Sequence, residues 1–239
     1  DIPKFDIGGH VVGDMPKIAN LYMKSPGKLC GIPFFDHIFK KLNCKVTWFR
    51  DEGYVCSDDE ANKKLIVAKV EGPACNILRG ERTALNILSR ASGISTLSSQ
   101  VKNIAYTYNW NGEVAGTRKT TPGFSLIEKY ALLVGGCSTH RMDLSSMVML
   151  KDNHIWSTGS ITNSVKMARS VGGFSIKIEV ECQTLQDGLE AAQAGAEIVM
   201  LDNFESTELK EVAQIIKNES PNIIIEASGG IKTDNIHYY

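Results

Sequence analysis

The chain has 239 residues, of which 43% are hydrophobic, which is enough to build one large α/β domain or two unequal ones and argues against disorder. The formal net charge of −1 excludes the overall basic field typical of nucleic-acid-binding proteins, and the apolar runs are too short to span a bilayer. The N-terminus begins Asp1-Ile2-Pro3, without an initiator Met or a signal-peptide pattern, so we expect a trimmed start.

The first half of the chain predicts a mixture of strands and helices. Short apolar runs on either side of Ser25-Pro26-Gly27 predict a β-hairpin. A proline at position 33, followed by apolar residues at helical spacing, predicts a helix over residues 33–42. Alternating apolar residues predict strands at 44–49 and 65–70.

A helical layer follows these strands. Residues 74–110 are rich in Leu, Ile and Ala at helical spacing, and we expect breaks at Gly80 and Gly93. The pattern of apolar residues changes near residue 113. We therefore predict that residues 1–112 form a mixed α+β domain that runs into a helical layer.

The second half alternates apolar runs with helical patterns. The predicted strands are 113–116, 147–150, 176–180, 198–201 and 223–227, and the predicted helices include 161–170, 185–194 and 207–217. This alternation is typical of βαβ units around a parallel sheet or barrel. We predict that residues 113–239 form one parallel sheet or barrel domain, and we expect it to be truncated, because the chain stops at Tyr239 before the last strands.

Polar residues directly follow four of the predicted strands. They are Lys151, Glu181, Asp202 and the tripeptide Ser228-Gly229-Gly230, each about one βα unit from the next. In a barrel these groups would meet at the carboxyl ends of the strands, where catalytic groups gather. A single charge after a strand is usually a solvated loop residue, but four in register indicate a site.

Cationic side chains are concentrated in two clusters. The first is the stretch 116–123, with Arg118, Lys119, three threonines and two glycines, and the second contains His140-Arg141 and residues 151–154. An isolated Arg-Lys pair would indicate only a polar turn. Two such clusters in a chain of net charge −1 predict a small ligand that carries carboxylates or phosphates.

Two further patterns leave alternatives open. Glu181 and Asp202 are oxygen ligands suited to Mg²⁺, yet a glutamate at this position equally suits an ion pair with Lys177 or a loop lysine. Ser228-Gly229-Gly230 precedes a predicted helix at 233–235, so its backbone N–H groups suit a phosphate, although Gly-Gly also suits a simple tight turn.

The six cysteines lack the spacing of a zinc site or a Cys-x-x-Cys redox pair. An even number permits a disulfide framework, but an enzyme-sized chain rarely needs one. We expect reduced cysteines and a cytoplasmic protein, with the nucleus as a further location in a eukaryotic cell.

Seven motifs together resemble the quinolinate phosphoribosyltransferase family, in that family's order and in a eukaryotic style. They are Glu81-Arg82-Thr83-Ala84-Leu85-Asn86, Ala115-Gly116-Thr117-Arg118-Lys119-Thr120-Thr121-Pro122-Gly123, His140-Arg141-Met142-Asp143-Leu144, Met149-Leu150-Lys151-Asp152-Asn153-His154, Glu179-Val180-Glu181-Cys182, Met200-Leu201-Asp202-Asn203 and Glu226-Ala227-Ser228-Gly229-Gly230-Ile231. The resemblance runs from Phe34 to Ile231. It implies a two-domain fold, with an N-terminal α/β sandwich domain over residues 1–112 and a C-terminal, incomplete α/β barrel over residues 113–239 that lacks its last strands in this chain.

The resemblance implies a reaction and an assembly. The reaction is transfer of phosphoribose from 5-phosphoribosyl 1-pyrophosphate to quinolinate with decarboxylation, which gives nicotinate mononucleotide, pyrophosphate and CO₂ in NAD biosynthesis. It requires Mg²⁺ and no organic cofactor. The assembly is a homodimer or higher homo-oligomer in which one subunit's N-terminal domain caps the other's barrel; neither nucleic acid nor a membrane is an expected partner.

The resemblance also implies roles for individual residues. Arg82 would reach quinolinate in the partner subunit's site, while Arg118, His140 and Arg141 would hold the two quinolinate carboxylates. Lys119 and Lys151 would contact anionic groups near the ring and the pyrophosphate. Glu181 and Asp202 would organise Mg²⁺ and the ribose, and Ser228, Gly229 and Gly230 would bind the 5′-phosphate. The catalytic set would be Lys119, Lys151, Glu181 and Asp202.

Three other hypotheses compete with this one. A nicotinate phosphoribosyltransferase would share the fold but need positive charge for one carboxylate only. A Schiff-base aldolase on an α/β barrel would use Lys151 as its nucleophile. A non-catalytic phosphometabolite-binding or assembly protein would have no need to retain Glu181 and Asp202. The chain also departs from the family at Ser125, where a basic residue is usual, so one phosphate or subunit contact is in doubt.

Overall fold

The computed structural model describes residues 4–239, which divide into two compact units, one ending at His140 and the other running from Arg141 to Tyr239. The helices and strands of the N-terminal unit are, in chain order, α1 (Ile7–Val12), β1 (Pro16–Met23), β2 (Gly27–Lys28), α2 (Ile32–Lys41), β3 (Lys45–Trp48), β4 (Val55–Cys56), α3 (Asp58–Asn62), β5 (Leu65–Pro73), α4 (Ala74–Thr107) and α5 (Ser125–Gly135). The division lies later than the predicted boundary between residues 112 and 113, because α5 packs on α4.

The N-terminal unit is built on an antiparallel sheet with strand order β1-β5-β3. Helices α2 and α4 pack together, and their apolar faces share a core with the sheet through Phe35, Phe39, Val67, Val70 and Leu88. The predicted helix at 33–42 and the predicted strands at 44–49 and 65–70 are confirmed as α2, β3 and β5.

The predicted hairpin around Pro26-Gly27 is wrong. Strand β1 pairs with β5, from Pro16 opposite Pro73 to Met23 opposite Leu65, whereas β2 pairs with β4 in a separate two-stranded sheet. The two runs therefore belong to different sheets. Strand β5 pairs with β1 along its whole length, with one shift of register between Leu21 and Tyr22, and local turn residues do not reveal that distant partner.

Helix α4 is continuous through Gly80 and Gly93, so the expected breaks are wrong. Gly80 is a packing position: a Cβ there would lie 2.7 Å from Cε1 of Phe39 and 2.8 Å from Cδ1 of Leu42. The glycine lets α2 approach α4 closely. Gly93 has open space around it, with nothing within 4 Å of an added Cβ.

These two glycines make a matched pair of stability predictions. Gly80→Ala is expected to lower the free energy of unfolding by about 1–3 kcal/mol, because the new methyl group overpacks the core. Gly93→Ala is expected to raise it by up to about 1 kcal/mol, because alanine is the better helix former and meets no obstacle. Denaturant unfolding followed by circular dichroism measures both; equal shifts in the two variants would contradict the packing role of Gly80.

The C-terminal unit is a parallel α/β layer. Its elements are β6 (Val148–Leu150), α6 (Asp152–Thr158), α7 (Ile161–Gly172), β7 (Ile178–Cys182), α8 (Leu185–Ala194), β8 (Ile198–Asp202), α9 (Ser206–Glu219), β9 (Ile224–Ser228) and a 3₁₀ helix (Ile236–Tyr238). The sheet order β6-β7-β8-β9 follows the chain, with all pairs parallel. The α/β fold class is confirmed. The predicted helices at 161–170, 185–194 and 207–217 are confirmed as α7, α8 and α9, and the predicted strands at 147–150, 176–180, 198–201 and 223–227 are confirmed as β6 to β9.

The two faces of this sheet differ in chemistry. One face contributes Leu150, Val180, Val199 and Leu201 to a core completed by α7, α8 and α9. Because side chains alternate along a strand, Glu179, Glu181, Met200, Asp202 and Glu226 belong to the opposite face. The helices cover one face of the sheet, and the candidate functional groups lie on the other.

The predicted strand at 113–116 is wrong in extent. The structure has there a single parallel bridge, Ala115 with Ser138, supported by hydrogen bonds from the Gly116 amide to the Ser138 carbonyl and from the Ser138 amide to the Val114 carbonyl. Within residues 4–239, no helix is long and apolar enough to cross a membrane.

Candidate active site

Four neighbouring strands of the C-terminal unit end in the predicted polar residues. Lys151 follows β6 in extended conformation, Glu181 is the penultimate residue of β7, Asp202 ends β8 and Ser228 ends β9. Asp202 and Ser228 are register partners. The structure thus brings these residues to one edge of the sheet, because parallel strands place their carboxyl ends together.

Lys151 and Glu181 form an ion pair in which the Lys151 ammonium donates to Glu181 Oε2. The Glu181 side chain is 13% exposed and the Lys151 side chain 43%. The sequence left open whether Glu181 serves a metal or a lysine. Its partner is another predicted site residue rather than Lys177, so the ion pair lies within the candidate site.

The backbone of Lys151 is also fixed. Its N–H donates to Nδ1 of His154 at 3.1 Å, which caps the start of α6. His154 belongs to the second cationic cluster noted in the sequence. In the structure this ring orients the residue that forms the ion pair, and the bond requires Nδ1 to be unprotonated.

Asn203 also lies at this edge, although it was not among the predicted site residues. Its side-chain amide donates to Asp202 Oδ2 at 2.6 Å, and its backbone N–H donates to the Ser228 carbonyl at 2.8 Å. A Cβ at Gly229 would lie 2.2 Å from Asn203 Oδ1, so glycine is required there. Asn203 has a left-handed φ of 59°, a conformation that asparagine tolerates better than most residues. The signal available in the sequence was an asparagine directly after Asp202.

The tripeptide Ser228-Gly229-Gly230 ends in a turn, and the helix predicted at 233–235 is wrong. Gly229 and Gly230 have left-handed φ values of 95° and 66°. Asn235 donates to the Gly230 carbonyl at 3.0 Å and accepts from the Lys232 N–H at 2.6 Å, and a 3₁₀ helix begins only at Ile236. The Asn235 side chain therefore hydrogen-bonds to nearby backbone groups, and such local bonds compete with those of a helix. The glycine backbone remains a candidate for binding phosphate.

Arg141 lies on the same face of the C-terminal sheet as Lys151. Its guanidinium NH2 contacts the sulfur of Met149 at 3.3 Å, and Met149 precedes Lys151 by two residues on β6. Residues two apart on a strand point to the same side. The structure therefore places a predicted carboxylate-binding arginine on the site face of this unit.

The N-terminal unit holds the other predicted cations. Arg118 and Lys119 are exposed in the loop of residues 117–123, where Thr117 Oγ1 accepts from the Lys119 N–H at 3.0 Å. His140 has a left-handed φ of 55° and lies two residues after Ser138. Because Ser138 is bridged to Ala115, the segment that carries His140 runs beside the residues that lead into this loop. Arg82 is exposed on α4.

A parallel α/β sheet with an ion pair, a second carboxylate and a diglycine turn at its strand ends defines an α/β enzyme that binds an anionic ligand. The chain matches the quinolinate phosphoribosyl transferase N-terminal domain over residues 6–92 and the C-terminal domain of the same name over residues 94–239. It belongs to this family, as the sequence motifs predicted.

Named relatives and solved structures agree with this membership. A Dictyostelium discoideum protein named nicotinate-nucleotide pyrophosphorylase [carboxylating] is 54% identical over 100% of this chain and 83% of its own length. The Homo sapiens protein of that name is 48% identical over 99% of this chain and 78% of its own. The crystal structure of NadC from Streptococcus pyogenes is 31% identical, with a TM-score of 0.89 over 99% of this chain and 82% of that one.

Proposed function

We propose that the chain transfers phosphoribose from 5-phosphoribosyl 1-pyrophosphate to quinolinate, with loss of CO₂ and pyrophosphate, to give nicotinate mononucleotide. The observation that supports this most directly is the edge where four strands end in Lys151, Glu181, Asp202 and Ser228, in a chain of the quinolinate phosphoribosyl transferase family. Two predicted functional groups, Lys151 and Glu181, are already in contact there.

The chemistry explains why both charges are needed. Displacing pyrophosphate from the anomeric carbon of the ribose builds positive charge on the sugar and negative charge on the leaving group. Carboxylates such as Glu181 and Asp202 oppose the first, and the ammonium groups of Lys151 and Lys119 oppose the second. The ring nitrogen becomes a pyridinium, whose positive charge stabilises the electron pair left on the neighbouring ring carbon when its carboxylate leaves as CO₂. A proton from water then takes the place of the lost carboxylate.

Mg²⁺ fits the oxygen ligands of this edge. Glu181 and Asp202 lie on neighbouring strands and face the same side of the sheet, and Mg²⁺ in proteins takes one or two carboxylates together with substrate phosphates. When bound, the ion would offset the charge of the pyrophosphate. We therefore propose Glu181 and Asp202 as the residues that hold it.

The competing functions find less support. The curated relatives carry the word carboxylating in their names, which favours the dicarboxylate quinolinate over nicotinate. A Schiff-base aldolase would need the Lys151 nitrogen as a nucleophile, but that nitrogen donates to Glu181. A non-catalytic binding protein has no use for the Glu181–Lys151 pair next to Asp202.

The direct test follows quinolinate consumption by the purified protein. Quinolinate is expected to disappear with formation of nicotinate mononucleotide only when both 5-phosphoribosyl 1-pyrophosphate and Mg²⁺ are present, and chelation of the metal should stop the reaction. Turnover of nicotinate but not quinolinate would overturn the choice of substrate. Borohydride trapping of a carbonyl substrate on Lys151 would instead support the aldolase.

We further propose a cytoplasmic homodimer or larger homo-oligomer with shared active sites, in which Arg82 serves the neighbouring subunit. Arg82 is exposed on α4, which is consistent with a role outside its own subunit. Separately inactive Arg82→Ala and Lys151→Ala proteins should then regain activity when mixed, because some hybrid sites receive both wild-type residues. Subunit exchange is verified with differently tagged chains. Exchange without recovered activity would mean that each site is built within one chain.

A further inference from the structure

Glu128 is a buried carboxylate that the proposed reaction does not use. It lies in the first turn of α5, with 7% of the residue exposed. Its Oε1 accepts hydrogen bonds from Nε and NH2 of Arg90 at 3.1 and 2.8 Å. Its Oε2 accepts from the backbone N–H of Thr121 at 3.1 Å. The carboxylate therefore joins α5 both to α4 and to the loop of residues 117–123.

Arg90 contacts the same loop residue. Its NH2 also donates to Thr121 Oγ1 at 2.9 Å, so Thr121 is bound through its backbone by Glu128 and through its side chain by Arg90. A second local bond, from the Phe124 N–H to the Thr121 carbonyl at 2.9 Å, connects Thr121 to the start of α5. Thr121 is two residues from Lys119 and three from Arg118. Holding it fixes the end of the loop that carries both cations.

The arrangement is more specific than an ion pair that joins two helices. In a paired Arg and Glu that only join two helices, both carboxylate oxygens can accept from the guanidinium. Here Oε1 accepts from Arg90, and Oε2 accepts from the Thr121 N–H of the loop. Burial raises the pKa of Glu128, but the hydrogen bonds from Arg90 and Thr121 outweigh this and leave the pKa below its usual value. A buried carboxylate is costly unless it is paired in this way.

The next residue of α5, Lys129, binds the segment that follows the helix. Lys129 is 1% exposed, and its ammonium donates to the carbonyl oxygen of Thr139, immediately before His140. Adjacent charged residues of α5 thus hold the loop that enters the helix and the segment that leaves it. The residues just before the loop are also joined to the segment after α5, by the Ala115–Ser138 bridge.

We infer that Glu128, together with Arg90, is a positioning residue that holds the loop of residues 117–123 in the conformation from which Arg118 and Lys119 bind the anionic groups of the substrate. The inference rests on the proposed function of that loop. Glu128 itself does not touch the substrate in this scheme, and its effect passes through Thr121 to Arg118.

The test compares Glu128→Gln with Glu113→Gln. Both remove a glutamate charge paired with a cation of α4, but Glu113, paired with Lys102 at 3.4 Å, has a side chain that is 72% exposed and no bond to the loop. Calorimetry is expected to show quinolinate Kd raised about tenfold in Glu128→Gln and changed less than about twofold in Glu113→Gln. Hydrogen exchange at the Thr121 amide, measured without ligand, should accelerate about tenfold in Glu128→Gln alone.

A double-mutant cycle separates positioning from a general loss of structure. In the Arg118→Ala background, Glu128→Gln should weaken quinolinate binding clearly less than in the wild type, because the part of its effect that acts through Arg118 is already lost and only the part through Lys119 remains. An equally large loss in that background, or unchanged Kd and exchange in Glu128→Gln, would overturn the inference. If Glu128→Gln does not fold, Thr121→Val removes the acceptor for Arg90 and keeps the ion pair; it should raise Kd about threefold, and no change would likewise overturn it.

The two proposals fail in different measurements. Failure of the wild-type protein to bind or turn over quinolinate would refute the proposed function and, with it, the ligand role of this loop. Normal wild-type binding with no effect of Glu128→Gln on Kd or on exchange would refute the positioning role alone.

Discussion

Replacing Glu181 by glutamine or Asp202 by asparagine is expected to lower kcat about a hundredfold or more, while quinolinate Kd stays nearly unchanged. Both carboxylates lie at the strand ends on the face away from the helical core. In the proposed reaction they act on the charge that develops on the ribose. Interactions that strengthen as charge develops affect turnover far more than ground-state binding.

The measurement is kcat, quinolinate Kd and melting temperature for each variant. Glu197→Gln is a matched control, because Glu197, like Glu181, forms an ion pair, here with Arg169, but lies just before β8 at the amino end of the sheet. It should lower stability and leave kcat normal. If Glu181→Gln behaves like Glu197→Gln, with reduced stability and near-normal kcat, Glu181 is a structural partner of Lys151 and not a catalytic residue.

The ion pair between Lys151 and Glu181 adds a further condition. Because the two side chains contact each other, Lys151→Ala and Glu181→Gln should be strongly non-additive in kcat. Additive losses would indicate that they act on separate steps.

Sequence patterns predicted the C-terminal unit well because its structure is local. Each βα unit carries its own apolar strand and amphipathic helix, and in a parallel sheet every strand ends at the same edge. The positions of Lys151, Glu181, Asp202 and Ser228 along the chain were therefore enough to predict that they share one edge. The strand-like run at 113–116 was the exception and forms only one bridge.

Predictions that depended on distant partners were less successful. The partner of β1 is β5, which no turn residue near Pro26 reveals. Gly80 looked like a helix breaker, but its role is set by Phe39 of α2 and by Leu42, which directly follows that helix. The Glu128–Arg90–Thr121 network joins three segments far apart in the chain, and a glutamate inside an apolar helical run gave no signal of either partner.

The second large effect concerns the binding of the quinolinate carboxylates. Arg118→Ala and Arg141→Ala are each expected to weaken quinolinate binding by roughly 2–4 kcal/mol, about thirtyfold to a thousandfold in Kd. Arginine binds a carboxylate through two parallel charge-assisted hydrogen bonds, and a buried ligand charge left without them carries its full desolvation cost.

The positions of Arg118 and Arg141 in the structure support this prediction for different reasons. Arg118 lies in an exposed loop, where its side chain is available to a ligand, and Arg141 lies beside Met149 on the site face of β6. Arg79→Ala is the control, because Arg79 is an α4 arginine already paired with Asp6 at 3.0 Å. Calorimetry should show unchanged quinolinate affinity for that variant. Wild-type affinity in both Arg118→Ala and Arg141→Ala would mean that other cations hold the carboxylates, with Lys119 and His140 the next to replace.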